Sequence, residues 1–371
     1  MKGALRIGQL SGIGVFIHWT FTFILLYVAY QVIEDGGDIW DILIGEAFLL
    51  LIYLCVVLHE MGHILAARKY GVDTLHIVLY PIGGVASLER IPEKPFEELI
   101  VAIAGPMVNV GIALGLSLYI FTSLDVPSLS NIDEMIRFSS TLNAFDEFIV
   151  GLAFVNLLLV GFNLIPAFPM DGGRVLRALL AMKINRVKAT KIASTIGQAF
   201  AILFVIWGFL PVPIQPFTIL IGLFIYMAAM GENKMVYSEA TLSGFKVQDV
   251  MRTNFMSINS NCYLADAVKL LLTGSEDDFI VLEGNKPIGV LFRKNLMTAV
   301  KANQVTTIAN ITIREIPLLH PEQDILKVFQ LMQQKRLHIL PVVDETRQLI
   351  GVLDRRNLND FISLQDVTKN R

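Results

Sequence analysis

The stretch "LCVVLHEMGHILAARKYG", residues 54–71, decides how the first half of this chain is read. It sits in an apolar run of membrane-spanning length, yet it carries His59, Glu60 and His63 in the spacing H-E-x-x-H. On a helix, residues i and i+4 share a face with their Cβ atoms about 5–6 Å apart, so both imidazoles can address one cation. Glu60 lies about 100° around the axis from His59, better placed to reach a water molecule on that cation than to bind the cation itself. A hydrogen-bonded histidine pair alone would leave Glu60 unexplained. Ionisable groups in apolar spanning helices are costly and mark function.

The chain has 371 residues, 54% hydrophobic and 17% charged, with a mean hydropathy of +0.59. Soluble proteins are nearer 45–50% apolar and about 25% charged. The excess lies in roughly the first 230 residues, while the last 130 or so have ordinary soluble composition. We therefore expect a polytopic α-helical membrane domain over 1–235 and an α/β soluble domain over 246–366. A net charge of −3 gives nothing for nucleic acid to bind. Cys55 and Cys262 fall in different domains and form no disulfide framework. The N-terminal "MKGALRIGQLSG" leads into an apolar run without a cleavage pattern, so no cleavable signal peptide is expected.

A spanning helix needs about 20 mostly apolar residues. Candidates at 12–33, 43–67, 98–122, 147–166, 193–210 and 214–231 make about six. With the N-terminus inside, one side collects Lys2, Arg6, Arg68, Lys69, Arg90, Lys94, Arg174, Arg177, Lys183, Arg186, Lys188, Lys191 and Lys234. The opposite loops (34–42, 123–146 and 211–213) hold only Arg137. This asymmetry predicts a multi-pass protein of the cell membrane with both termini and the soluble domain in the cytoplasm.

A catalytic zinc site takes three protein ligands and leaves a fourth position open. His320 and His338 belong to the soluble half, which leaves His18, His76 and Asp171 as third-ligand candidates. Asp171, in "FNLIPAFPMDGGRVLRALL" (162–180), is the only acidic residue between Glu147 and Glu232. Pro166 and Pro169 break the preceding helix, and Gly172 and Gly173 permit tight turning. Non-helical backbone survives at membrane depth only inside protein or beside a wet cavity. A plain helix cap would also use an aspartate here. Topology favours the metal, because span two leaves toward the cytoplasm just after His63 and span four leaves there at Asp171.

These motifs, in this order, resemble the site-2 protease family of intramembrane metalloproteases. "NLIPAFPMDGGR" is similar to that family's second signature, with Met170 where Leu is common. "GVFIHWTF" (14–21) resembles its first span, "YPIGGVASL" (80–88) its Gly-Gly loop and "AGPMVNV" (104–110) its third span. The resemblance covers 12–231. It implies one Zn²⁺ per chain on His59, His63 and Asp171, with Glu60 as general acid and base, and it implies cleavage of transmembrane segments in partner proteins. Gly83 and Gly84 either form a turn or help pair an extended substrate strand. Asn163 either binds substrate backbone or a neighbouring helix. Gly105, Pro106 and Asn109 read as helix packing, and Cys55 as a small buried hydrophobe.

The soluble half contains a repeat: "IGVLFRKNL" (288–296) returns as "IGVLDRRNL" (350–358). Each copy follows a helical pattern and two short strand-like runs. This order resembles a pair of CBS domains, at about 246–303 and 308–366. Such a pair implies regulation of the attached domain, homodimerisation, and an adenosine nucleotide as candidate ligand. Here Phe292 and Asn295, and Asp354 and Asn357, stand where the family often has Ser or Thr for phosphate and Asp for ribose. An acidic Asp354 repels phosphate. Two other readings fit parts of the sequence: a CBS-regulated channel or transporter, and a zinc-binding scaffold without protease activity.

Overall fold

The computed structural model describes residues 3–81, 83–88, 92, 94–124, 142–211, 214–274, 276–302, 306–335 and 337–369. Of the charges used for orientation, Lys2, Arg90 and Arg137 lie outside the described residues. The chain divides into two units, Met1–Lys234 and Met235–Arg371.

The first unit opens with a hairpin rather than a span. Strand β1 (Ala4–Leu10) pairs antiparallel with β2 (Ile13–His18). Ser11 and Gly12 between them have φ of 49° and 83°, the left-handed backbone that two-residue hairpin turns need. The sequence run expected to start a helix at residue 12 is thus a strand to residue 18. Its period is two, with Ile13 and Val15 buried. Helix α1 (Thr22–Glu34) keeps 13 residues, about 20 Å at 1.5 Å per residue and short of the roughly 30 Å of bilayer hydrocarbon.

Helix α2 (Ile39–Lys69) follows, started by Asp38, whose carboxylate accepts from the N–H groups of Trp40 and Asp41 at 2.7 and 3.1 Å. Strand β3 (Thr74–Tyr80) then joins β2 in parallel and β4 (Gly83–Leu88) antiparallel, giving a sheet of order β1-β2-β3-β4. The rest of the unit is helical: α3 (Pro95–Ser123), α4 (Ala144–Asn163), α5 (Asp171–Ala181), α6 (Arg186–Phe209) and α7 (Pro216–Leu242). Among the described residues, five helices are long and apolar enough to cross a membrane: α2, α3, α4, α6 and α7.

Helix α3 is the hub, packed against α2, α4 and α5. Leu50, Leu54, Leu58 and Leu65 of α2 point outward. Lipid tails are as apolar as leucine, so helix association rests on close packing of small residues. Gly62 supplies that contact: a Cβ there would sit 2.6 Å from the Ala104 carbonyl oxygen.

In the second unit the helix–strand–strand–helix order appears twice. The first copy is Leu264–Thr273, Phe279–Glu283, Lys286–Leu291 and Arg293–Lys301; the second is Ile325–Gln334, Ile339–Val343, Leu349–Asp354 and Arg355–Lys369. The repeated Val290-Leu291 and Val352-Leu353 are fully buried, so the duplicated motif is a core strand in each copy. Asp354 is not alone: Arg252 Nη2 lies 3.2 Å from its Oδ2 and donates to both Glu276 oxygens at 2.7 and 2.9 Å. Two carboxylates against one guanidinium leave this cluster net negative.

Candidate metal centre

The site is built from two segments more than a hundred residues apart. His59 and His63 lie one turn apart on α2 and are 6% and 3% exposed. Asp171, 7% exposed, is the first residue of α5. It gets there because α4 stops at Asn163 and residues 164–170 fold back through tight turns, with Ala167 N–H on Ile165 O at 2.7 Å and Met170 N–H on Ala167 O at 3.0 Å. Helix α5 begins pressed against that turn. A Cβ at Gly172 would lie 2.2 Å from Ile165 O, and one at Gly173 would lie 2.5 Å from Phe168 N. Only glycine admits this approach, which gives the Asp-Gly-Gly sequence its reason.

Asp171 Oδ2 lies 3.1 Å from His59 Nε2 and 3.0 Å from His63 Nε2, and the two Nε2 atoms are 3.1 Å apart. His63 Nδ1 is 2.7 Å from Val101 O. A carbonyl only accepts, so the proton sits on Nδ1 and the Nε2 lone pair points into the cluster. The three converging atoms are the only group of metal donors of this kind among the described residues. A tetrahedral zinc with ligand bonds of about 2.0–2.1 Å sets its donors roughly 3.3 Å apart. The observed triangle fits that ion in size and in donor type.

The surroundings make room for the cluster. A Cβ on Gly105 of α3 would fall 2.2 Å from His63 Nε2 and 2.7 Å from His59 Nε2. Glu60 is half-buried on the adjacent face of α2, with β4 beside it: a Cβ on Gly84 would be 3.3 Å from Glu60 Cγ. Gly83 has φ of +133°. The Tyr53 hydroxyl holds the β3–β4 connection to α2, within 3.0 Å of Tyr80 O and 2.6 Å of Pro81 O. Arg174 Nη1 is 3.9 Å from the second oxygen of Asp171.

The other candidates are elsewhere. His18 stacks on Tyr80 at 5.0 Å with Nδ1 2.8 Å from Thr20 Oγ1. His76 is in β3, edge-on to Phe16 at 5.8 Å. Cys55 accepts from Asn156 Nδ2 at 3.4 Å. Asn163 is the last, half-buried residue of α4.

Three charged residues escaped the sequence reading. Arg177, counted there among the cytoplasmic-side charges, is fully buried. Its Nε donates to Glu98 Oε1 at 2.6 Å, its Nη1 to Glu232 Oε1 at 2.6 Å, and its guanidinium lies 5.0 Å over the Phe168 ring. Arg177 thus fastens α5, the Asp171 helix, to α3 and α7. The only advance signal was a glutamate at the end of an apolar run, Glu232, and another, Glu98, at the start of one.

A membrane-type helix bundle with paired imidazoles, a converging carboxylate and a neighbouring glutamate defines a metallopeptidase class, and comparison with known proteins gives the family. The profile of peptidase family M50 matches residues 47–204, and the CBS domain profile matches 247–302 and 308–364. A zinc metalloprotease of Methanocaldococcus jannaschii is 34% identical over 291 residues, 78% of each chain. A relative in Synechocystis sp. is 29% identical over 96% of this chain and 95% of its own. The solved site-2 protease from M. jannaschii covers 62% of this chain and 95% of its own, at 36% identity and a TM-score of 0.45. The chain belongs to the M50, or site-2 protease, family. It is a multi-pass zinc metalloprotease with a tandem pair of CBS domains.

Proposed function

We propose that this enzyme hydrolyses peptide bonds within or near the transmembrane segments of partner membrane proteins. The protease domain is 1–235, and the cytoplasmic CBS pair at 246–366 regulates it. The observation that carries the reading is the buried donor triangle of His59, His63 and Asp171, assigned here as the zinc ligands. His63 lies six residues before the end of α2, about 9 Å at 1.5 Å per residue. That end carries Arg68 and Lys69, so the positive-inside rule sets the site near cytoplasmic water.

Held by His59, His63 and Asp171, zinc would supply Lewis acidity toward a water molecule and toward the oxygen of an attacked carbonyl. Glu60 accepts the proton of the attacking water and returns it to the amine that leaves when the C–N bond breaks. The Val101 carbonyl keeps His63 in the tautomer that offers Nε2. Gly83 and Gly84 leave the β4 edge bare of side chains beside Glu60, so an extended substrate strand can pair there, with Asn163 as a further donor to its backbone. The substrate helix must unwind locally, because its carbonyls are engaged in i→i−4 bonds. Helix-weakening residues in the partner's span should speed cleavage.

The CBS pair offers an adenosine nucleotide site and a dimer contact. Calorimetry with AMP and ATP on the full chain tests the nucleotide, and sedimentation tests the dimer. The function itself is tested by comparing membrane proteomes of wild-type and Glu60→Gln strains. A membrane protein should accumulate uncleaved in the variant, and identical proteomes would refute the assignment.

A further inference from the structure

His59 and His63 differ in one respect. The Nδ1 of His63 has the Val101 carbonyl, whereas the Nδ1 of His59 is buried with no hydrogen-bond partner among the described residues. Metal-binding histidines almost always donate their other ring N–H to an oxygen, which fixes the ring and raises its basicity. Buried polar atoms without partners are rare and call for a ligand or water.

The neighbouring helix supplies matching atoms. Gly105 of α3 sits directly on both imidazoles, and Asn109 is four residues on, on the same helix face. Asn109 is fully buried, and neither its Oδ1 nor its Nδ2 has a partner. Helix α4 contributes a second fully buried amide, Asn156. Its Nδ2 donates to Leu152 O at 2.8 Å and to Cys55 Sγ at 3.4 Å, while its Oδ1 is unpartnered. Cys55 lies one turn before His59 on α2. Three packed helices therefore place unpartnered donors and acceptors one turn from the metal donors. The inventory matches: an imidazole N–H and an amide NH₂ against two amide oxygens.

We propose that Asn109 is the positioning residue of His59: its side-chain oxygen receives the His59 Nδ1–H through one buried water that Asn156 Oδ1 also holds. This rests on His59 being a zinc ligand. A wild-type chain that binds no zinc would refute that assignment, whereas tight zinc binding indifferent to Asn109 would refute only this inference.

The test is zinc affinity of the purified full chain by chelator competition, together with the visible spectrum of the cobalt-substituted protein. Asn109→Leu keeps the volume and removes the acceptor; zinc should bind 10–100-fold more weakly and the cobalt bands should shift. Asn109→Asp keeps the acceptor and strengthens it, so zinc should bind at least as tightly as in the wild type. A packing role makes the opposite forecast, because a buried carboxylate is then the worse substitution. Asn109→Leu with wild-type affinity and spectrum would overturn the proposal, as would Asn109→Asp binding more weakly than wild type. If Asn109→Leu does not fold, the Asp variant alone decides.

Discussion

Replacing Gly105 by alanine adds one methyl group directly against the two metal-site imidazoles. The new carbon would lie 2.2 Å from His63 Nε2, 2.5 Å from His63 Cε1 and 2.7 Å from His59 Nε2. Ordinary contact needs about 3.5 Å, so the overlap with His63 is roughly 1.3 Å. Metal–ligand distances tolerate only about ±0.2 Å. The two imidazoles cannot both retreat by an ångström and keep a common ion, and His63 would also lose its hydrogen bond to Val101. Changes that merely loosen a ligand's outer partner cost 10–100-fold in affinity, so displacing two ligands should exceed about 100-fold. Alanine is otherwise the better helix former by about 0.8–1 kcal/mol, so the helix itself does not object. Gly111, on the same helix with nothing within 4 Å of its added Cβ, is the control. Chelator competition should show zinc binding collapsed in Gly105→Ala and unchanged in Gly111→Ala. Affinity within threefold of wild type in Gly105→Ala would refute the reasoning.

Other outcomes follow from the same contacts. Glu60→Gln should keep full zinc content yet lose cleavage of a co-expressed membrane substrate; wild-type turnover would remove Glu60 from the reaction. Arg177→Met leaves the buried Glu98 with only Arg186, whose Nη2 is 3.8 Å from its Oε2, and should destabilise the protein by about 3–5 kcal/mol, read as a lower thermal midpoint; changing Glu98 and Glu232 to Met as well should recover most of it. In the second unit, burial pushes the Asp278 carboxyl above its ordinary value, although it accepts the Arg293 N–H. Its charge therefore opposes folding at neutral pH. Asp278→Asn keeps the acceptor and should raise that unit's melting temperature at pH 7. The gain should disappear below the ordinary aspartate range, where the carboxyl is protonated folded or unfolded.

The metal site was legible because its geometry is local where it matters most. Two histidines four apart on a helix must face one way, whereas Asp171, which alone reads equally well as a helix cap, was tied to them by the depth at which spans two and four leave the membrane. The strand at Ile13–His18 was not legible as such. Its apolar run is continuous with α1, and a short apolar run reads equally as helix or strand until its partner β3, some sixty residues on, is known. Arg177 misled for a related reason: in sequence it is one of several positive charges on one side, and only the fold brings Glu98 and Glu232 to it. The duplicated "IGVL" announced a repeated core strand, whereas the Arg252 contact to Asp354 joins positions about a hundred residues apart and left no local mark.

The most direct measurement is zinc binding by the purified full chain carrying Asp171→Ala. One ion gripped jointly by α2 and the start of α5 predicts one zinc per wild-type chain and a large loss of affinity in the variant, while His18→Ala and His76→Ala bind as wild type. Unchanged stoichiometry and affinity in Asp171→Ala would contradict the shared site.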